Sequence, residues 1–208
     1  AARLNLTSAQ MWLAHNGPSG AAVTARDRYP EPDWRPQRGW RVDNALAYAH
    51  ALQESGFRPE AVSPAGARGL MQVRPGTASD IVRWRGVAAD PGRLNDPQTN
   101  LEFGQAYLEH LRDFSAYNAG PGVIAHWHAR GRDNGDPLLF IESIPYWETR
   151  GYVPIVLRNY WVYEERSADA SPSRRALVQG LWPRFPGLAG PNAIRIDRQP
   201  RQTAMGQD

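Results

Sequence analysis

Asp43-Asn-Ala-Leu-Ala-Tyr-Ala-His-Ala-Leu-Gln-Glu-Ser-Gly56 is the stretch on which the reading of the whole chain turns. Both ends of a helix are written in it. Asp43 is a natural N-cap, able to accept from amides of the first turn that have no partner within the helix. Gly56 is a stop, able to take the left-handed backbone that ends a helix. Between them Ala45, Ala49 and Leu52 mark one face. Glu54 falls in the last turn, at the negative end of the helix dipole, where a carboxyl group holds its proton more tightly. Ala47 and Ala51 line its own face and leave room beside it. A carboxyl in a partly apolar niche is one way to keep an acid protonated at neutral pH. The plain alternative is a surface glutamate in solvent, and helix position alone favours that alternative.

Before this helix, Thr7 reads as an N-cap with Gln10 as its capping-box partner and Leu6 and Met11 as the hydrophobic staple. His15-Asn16-Gly17 closes that first helix. Tyr29-Pro-Glu-Pro-Asp-Trp-Arg-Pro36 cannot continue a helix and reads as an extended linker packed by Tyr29 and Trp34. After Gly56, Ser63 to Gly76 is too punctuated by Gly and Pro for a long helix, and a small irregular or hairpin element is expected near residues 60 to 75. Thr77 with Asp80 starts a helix that Gly86 ends. Asp96-Pro97 opens another, with Leu101, Gly104, Leu108 and Leu111 at helical spacing. Pro121 begins a short helix carrying Trp127. The last long helix is expected from Thr149 to Glu165, with a buried stripe of Val153, Val156, Leu157, Tyr160 and Trp161 and with Pro154 in or near its first turn. Beyond Ser167 the chain is polar and Pro-rich, and Ala193–Asp197 alternates like a short edge strand. The class is therefore all-α with a small β-hairpin element. The expected organisation is a helical linker segment over 1–37, a main domain over 38–187 and an extended tail over 188–208.

Composition narrows the chemistry. The chain has 208 residues, 41% hydrophobic and 22% charged, enough for a sizeable core. With no cysteine, disulfides, thiolate nucleophiles and Cys-based zinc sites are excluded. No apolar run is long enough for a transmembrane segment. The net charge is +3, and all 24 basic residues are Arg, scattered without a cluster, so nucleic acid is not the expected partner. The opening Ala1-Ala2-Arg3, without Met, reads as a processed or trimmed end whose signal segment, if any, is gone. His126 and His128 lie two apart, the wrong spacing to share a helix face, so no metal or cofactor is expected. Of Trp84, Trp127, Trp147 and Trp161, one or two at most are expected to stack sugars, the others being core.

Three blocks of residues move Glu54 from surface charge to catalytic candidate. The first is Glu54-Ser-Gly-Phe57 followed by Ala61-Val-Ser-Pro-Ala-Gly-Ala-Arg-Gly-Leu-Met-Gln72 and Pro75-Gly-Thr-Ala78. The second is Ala116-Tyr-Asn-Ala-Gly-Pro-Gly122. The third is Glu142-Ser-Ile-Pro-Tyr-Trp-Glu-Thr-Arg-Gly-Tyr-Val153, followed by Asn159-Tyr160. In this order they resemble the signature of the soluble lytic transglycosylases, the lysozyme-like, goose-type-lysozyme-related family that cleaves peptidoglycan. The resemblance covers residues 38 to 165, and it implies that 38–187 is the catalytic domain and that 1–37 ends an N-terminal helical region. One departure is that Leu111-Arg-Asp-Phe-Ser115 runs straight into the Tyr117 block, where the family usually carries a longer loop.

The resemblance implies a role for each matching position. Glu54 is the single catalytic acid and base. Ser63, Met71 and Gln72 line the cleft and contact sugar rings and N-acetyl groups. Tyr117 bonds near Glu54 or the substrate acetamido group, Asn118 holds its loop, and Glu148 binds at neighbouring subsites. The implied reaction cleaves the β-1,4 bond between N-acetylmuramic acid and N-acetylglucosamine without water, leaving a 1,6-anhydro end. The implied partners are peptidoglycan glycan strands in the periplasm of a Gram-negative cell envelope. A goose-type-lysozyme-like hydrolase and a non-catalytic peptidoglycan-binding scaffold are the competing readings.

Overall fold

The computed structural model describes residues 4, 6–111, 123, 126, 127, 133–167 and 171–183. Its helices are α1 (Thr7–Asn16), α2 (Ala25–Arg28), α3 (Asn44–Ser55), α4 (Pro75–Arg85), α5 (Pro97–His110), α6 (Pro137–Ser143), α7 (Trp147–Ser167) and α8 (Pro172–Val178), with a 3-10 turn at Pro91–Arg93. No helix among these residues is long and apolar enough to cross a membrane.

The centre of the fold is the contact of α3 with α7. Ala45, Ala47, Ala49 and Ala51 are all buried, and the small side chains of Ala47 and Ala51, on the face that carries Glu54, let α7 come close. From α7, Val153, Val156, Leu157 and Tyr160 fill that space, as their spacing predicts, while Trp161 is half-buried. The helices run antiparallel. Asp43, at the head of α3, accepts from the Tyr160 hydroxyl at 2.8 Å, and Glu54, at its tail, accepts from Tyr152 near the start of α7. Asp43 also caps α3 through the Ala45 amide at 2.9 Å, and Gly56 ends it at φ 58°.

The segment between α3 and α4 forms isolated antiparallel bridges, Val62 with Arg68 and Arg68 with Val73, and no continuous strand among the described residues. Asn100 of α5 anchors it. Its Nδ2 donates to the carbonyls of Arg68 and Leu94, both at 2.8 Å, and its Oδ1 accepts from the Met71 amide at 2.7 Å. Gly69 passes so close that a Cβ there would lie 2.2 Å from the Leu94 carbonyl oxygen, and its φ of +74° already excludes most side chains. Gly104 on α5 leaves the space that the Met71 sulfur fills, 2.1 Å from where a Cβ would stand.

Several expected boundaries are corrected. Thr7 does not cap α1: Leu6 is the cap residue and makes no side-chain bond, while Gln10 reaches across to the Arg26 carbonyl at 2.9 Å. The capping box belongs instead to α2, where Asp27 accepts from the amide and hydroxyl of Thr24. Helix α4 begins at Pro75, because proline at the first helical position needs no amide partner. Pro154 sits inside α7, two turns from its start, on an exposed position where water can serve the carbonyl left without a donor. Helices α6 and α8 lie outside the sequence expectation, and are capped by Asp136 and Ser171. Leu111 ends α5, and the rest of the Leu111–Ser115 junction, Tyr117, Asn118, Pro121, His128 and Ala193–Asp197 lie outside the described residues.

The Pro-rich linker packs along α3 and α7. Tyr48 and Tyr163 donate to the carbonyls of Pro32 and Pro30, both at 3.0 Å, and Arg166 pairs with Glu31 at 2.6 Å. The ring of Tyr29 meets Tyr163 edge-on, and Trp34 packs half-buried on the core.

Gly69→Ala is expected to lower stability by about 2–4 kcal/mol, from left-handed strain plus collision with backbone. Urea unfolding followed by circular dichroism checks this, with the midpoint falling and the slope unchanged.

Candidate active site

Glu54 lies on the last turn of α3 and is half-buried, facing α7. Its Oε1 accepts a 2.6 Å bond from the Tyr152 hydroxyl. That hydroxyl also lies 2.8 Å from Nδ1 of His50, one turn earlier on α3. Glu54, Tyr152 and His50 thus form a three-member chain that leads from the site into the core. His50 is fully buried, at 0% exposure.

Burial sets the protonation of both ends of this chain. Loss of water pushes the Glu54 carboxyl above its ordinary value, and the Tyr152 bond, which favours the charged form, opposes that without cancelling it. Desolvation is the largest cause, as the apolar niche beside Ala47 and Ala51 suggested. Burial also lowers the His50 imidazole to about 3, so it is neutral at physiological pH.

The backbone after Glu54 is bent sharply. Ser55 donates to the Leu70 carbonyl at 2.8 Å, tying the end of α3 to the segment that carries Met71 and Gln72. Phe57 has a φ of 59°, unusual for a bulky residue, and its buried ring packs near Tyr48. Gln72 has a φ of 46°, and its amide nitrogen donates to the carbonyls of Gly69 at 2.9 Å and Ala61 at 3.2 Å. Such a conformation costs about 1–3 kcal/mol and persists only where the surroundings fix it.

The other expected site residues fall in distinct places. Ser63 is half-buried, and its hydroxyl accepts from the Ala67 amide at 3.1 Å across a tight turn. Met71 is wholly buried at 0% exposure, so its side chain belongs to the packing beneath this segment. Gln72 is half-buried, with its nitrogen committed to backbone. Glu148 is exposed on the first turn of α7, four residues before Tyr152 and so on the same helix face. Tyr117 and Asn118 lie outside the described residues. Among the tryptophans, Trp147 is 79% exposed, Trp84 is exposed beside the His110 ring, and Trp127 meets Tyr146 edge-on. Among the described residues no group of three His, Asp or Glu side chains is placed to hold a metal ion.

Sequence reasoning missed Tyr152 and His50 as site residues. The signal for His50 was available, since it precedes Glu54 by four residues and shares its face. Tyr152 lies 98 positions from Glu54, and only the docking of α7 reveals the pair.

The family model for the transglycosylase SLT domain matches residues 35–140. The chain belongs to this family. It is 43% identical over 130 residues to the soluble lytic murein transglycosylase of Escherichia coli K12, a match covering 57% of this chain and 20% of that protein. The Salmonella typhimurium enzyme of the same name is 42% identical over 131 residues, covering 58% of this chain and again 20% of the relative. The chain thus spans about a fifth of the length of these curated relatives. The crystal structure of the 70-kDa soluble lytic transglycosylase of E. coli superposes with a TM-score of 0.63 at 37% identity, over 69% of this chain and 26% of that one. An inactive glutamate-to-glutamine mutant of the Pseudomonas aeruginosa lytic transglycosylase Slt superposes with a TM-score of 0.59 at 27% identity, over 79% of this chain and 28% of that one. The helical, lysozyme-like fold expected from the sequence is the one observed.

The raised affinity of Glu54 for its proton has a thermodynamic signature. In the folded state it binds a proton at pH values where the unfolded chain has released it, so its contribution to stability is lost as pH rises from its ordinary value through its raised one. Glu54→Gln keeps an acceptor for Tyr152 and removes the titration. The variant is expected to melt higher than the parent at pH 7, with the gap closing towards pH 4. Calorimetry across that range checks it.

Proposed function

We propose that the chain is a peptidoglycan lytic transglycosylase in which Glu54 acts first as acid and then as base. One observation carries this reading: a half-buried carboxyl with a raised proton affinity, one oxygen held by Tyr152 and the other bonded to none of the described residues. Membership of the family supports it, as does the inactivity of the Pseudomonas enzyme in its glutamate-to-glutamine form. The complex of the 70-kDa soluble lytic transglycosylase with bulgecin A also superposes, with a TM-score of 0.58 at 39% identity, over 62% of this chain and 23% of that one.

The steps follow from the chemistry. Protonated Glu54 gives its proton to the oxygen linking N-acetylmuramic acid to N-acetylglucosamine, and the bond from that oxygen to the muramic anomeric carbon breaks. The muramic acetamido carbonyl stabilises the cationic centre, a substrate-assisted departure from the usual two-carboxylate scheme. Ionised Glu54, steadied by the Tyr152 hydroxyl, then takes the proton of the muramic 6-hydroxyl as that oxygen bonds to the anomeric carbon. The acid is regenerated, a 1,6-anhydro ring closes and no water is consumed. Holding the hydroxyl beside the carbon turns ring closure into a positioned intramolecular step. Ser63, Gln72 and Glu148 are assigned to sugar contacts, Met71 to shaping the wall from below, and Tyr117 and Asn118 to the same cleft from their motif. With peptidoglycan as substrate and relatives from Escherichia coli and Salmonella typhimurium, the proposed location is the periplasm of a Gram-negative envelope.

Digestion of purified sacculi tests the proposal. The parent is expected to release muropeptides one water lighter than their reducing-end counterparts. Release of reducing ends would make the chain a hydrolase, and binding without release would make it a scaffold. Glu54→Gln is expected to lose at least 10²-fold to 10⁴-fold in turnover, the order associated with positioned acid–base catalysis, while still sedimenting with sacculi. Tyr152→Phe is expected to lower kcat by about tenfold, with KM little changed, as suits loss of one bond to a carboxylate formed during reaction.

A further inference from the structure

We infer that His50 is a positioning residue, whose Nδ1–H donates to the Tyr152 oxygen and thereby commits the single Tyr152 proton to Oε1 of Glu54. The inference rests on the acid–base role proposed for Glu54 and adds to it the device that sets which oxygen carries the transferable proton.

The argument is one of counting protons. A tyrosine hydroxyl has one proton to give and lone pairs to receive. Among the contacts of Tyr152 with described residues, Glu54 Oε1 lies at 2.6 Å and His50 Nδ1 at 2.8 Å. When Glu54 is ionised it can only accept, so the Tyr152 proton must point to it. His50 Nδ1 must then be a donor, since two lone pairs facing each other at 2.8 Å repel. The Nδ1–H tautomer is therefore the one that fits the carboxylate formed during the reaction.

The opposite chain, with the Glu54 proton on Oε1 pointing to Tyr152 and the Tyr152 proton pointing to His50, would turn the acid away from the substrate. An imidazole already protonated at Nδ1 blocks it. With Oε1 occupied as an acceptor, the acidic proton resides on Oε2. The position of His50 suits a fixed tautomer. It is fully buried in α3 between alanines that are buried too, and its ring lies 6.0 Å from that of Tyr152. Burial also keeps the ring neutral, so one tautomer can persist across the working range.

The tautomer is read directly from the whole 208-residue chain labelled at histidine nitrogen. Long-range proton–nitrogen spectra between about pH 5 and 8, with the His50 signal assigned by its loss in His50→Leu, are expected to show a neutral ring protonated at Nδ1. A ring protonated at Nε2 alone, or a cationic ring, overturns the inference. Kinetics on sacculi give the second arm. His50→Leu keeps bulk but has no donor, and is expected to lower kcat about tenfold while KM stays within about twofold. His50→Asn, whose side-chain amide offers a donor near the Nδ1 position, is expected to recover most of that loss. Equal deficits in the two variants of matched melting temperature, or parental kcat in His50→Leu, overturn it. Should His50→Leu fail to fold, the parental spectrum decides, with the signal assigned through His50→Asn. A parent that shows the expected tautomer yet releases no muropeptide would refute the proposed function and leave the hydrogen-bond direction standing.

Discussion

The whole molecule depends on α3 lying flat against α7. That contact is made by alanines on one side and by Val153, Val156, Leu157 and Tyr160 on the other, and it is pinned at both ends by tyrosine hydroxyls on carboxylates. The two pins do different work. At the head, Tyr160 on Asp43 secures a residue already spent on capping the helix. At the tail, Tyr152 on Glu54 secures a carboxyl that half-faces solvent. The same kind of bond thus serves the fold at one end and the proposed chemistry at the other. A shift of α7 along α3 by one turn would break both.

Much of this was legible in the chain, for physical reasons that differ from place to place. Helices α3 and α5 announce themselves because cap, stripe and stop agree: Asp43 and Gly56 for the first, Asp96-Pro97 and its apolar spacing for the second. Helices α6 and α8 begin with the same acidic-or-hydroxyl residue followed by proline, yet each is only seven residues long, too short for a periodic stripe to stand out. Thr7 and Gln10 match the capping pattern in sequence, but Gln10 finds better use across the gap to α2, where tertiary contact outweighs local propensity. Pro154 misled because a proline is expected near a helix start, and an exposed helix flank tolerates it further in.

The site divides in the same way. Glu54 was legible because its helix end and the glycine-punctuated segment after it are local. Its partner Tyr152 was not, because the pairing is created by the packing of two helices far apart in sequence. The direction of the proton shift was legible from position and from the small residues beside Glu54, and its extent was not. The dipole argument needs only the helix, whereas desolvation needs the neighbours that cover it. The left-handed backbone at Phe57 and Gln72 carries no sequence signal of the kind glycine provides.

Asn100 shows what the site gains from being built before any ligand arrives. By clasping the carbonyls of Arg68 and Leu94 and the amide of Met71, it leaves the segment beside Glu54 little freedom to rearrange. Under the proposed function, a saccharide docking there would meet a mould that has already set, so its association would forfeit little loop entropy. Residence time, more than the rate of encounter, is then where differences between saccharides are registered.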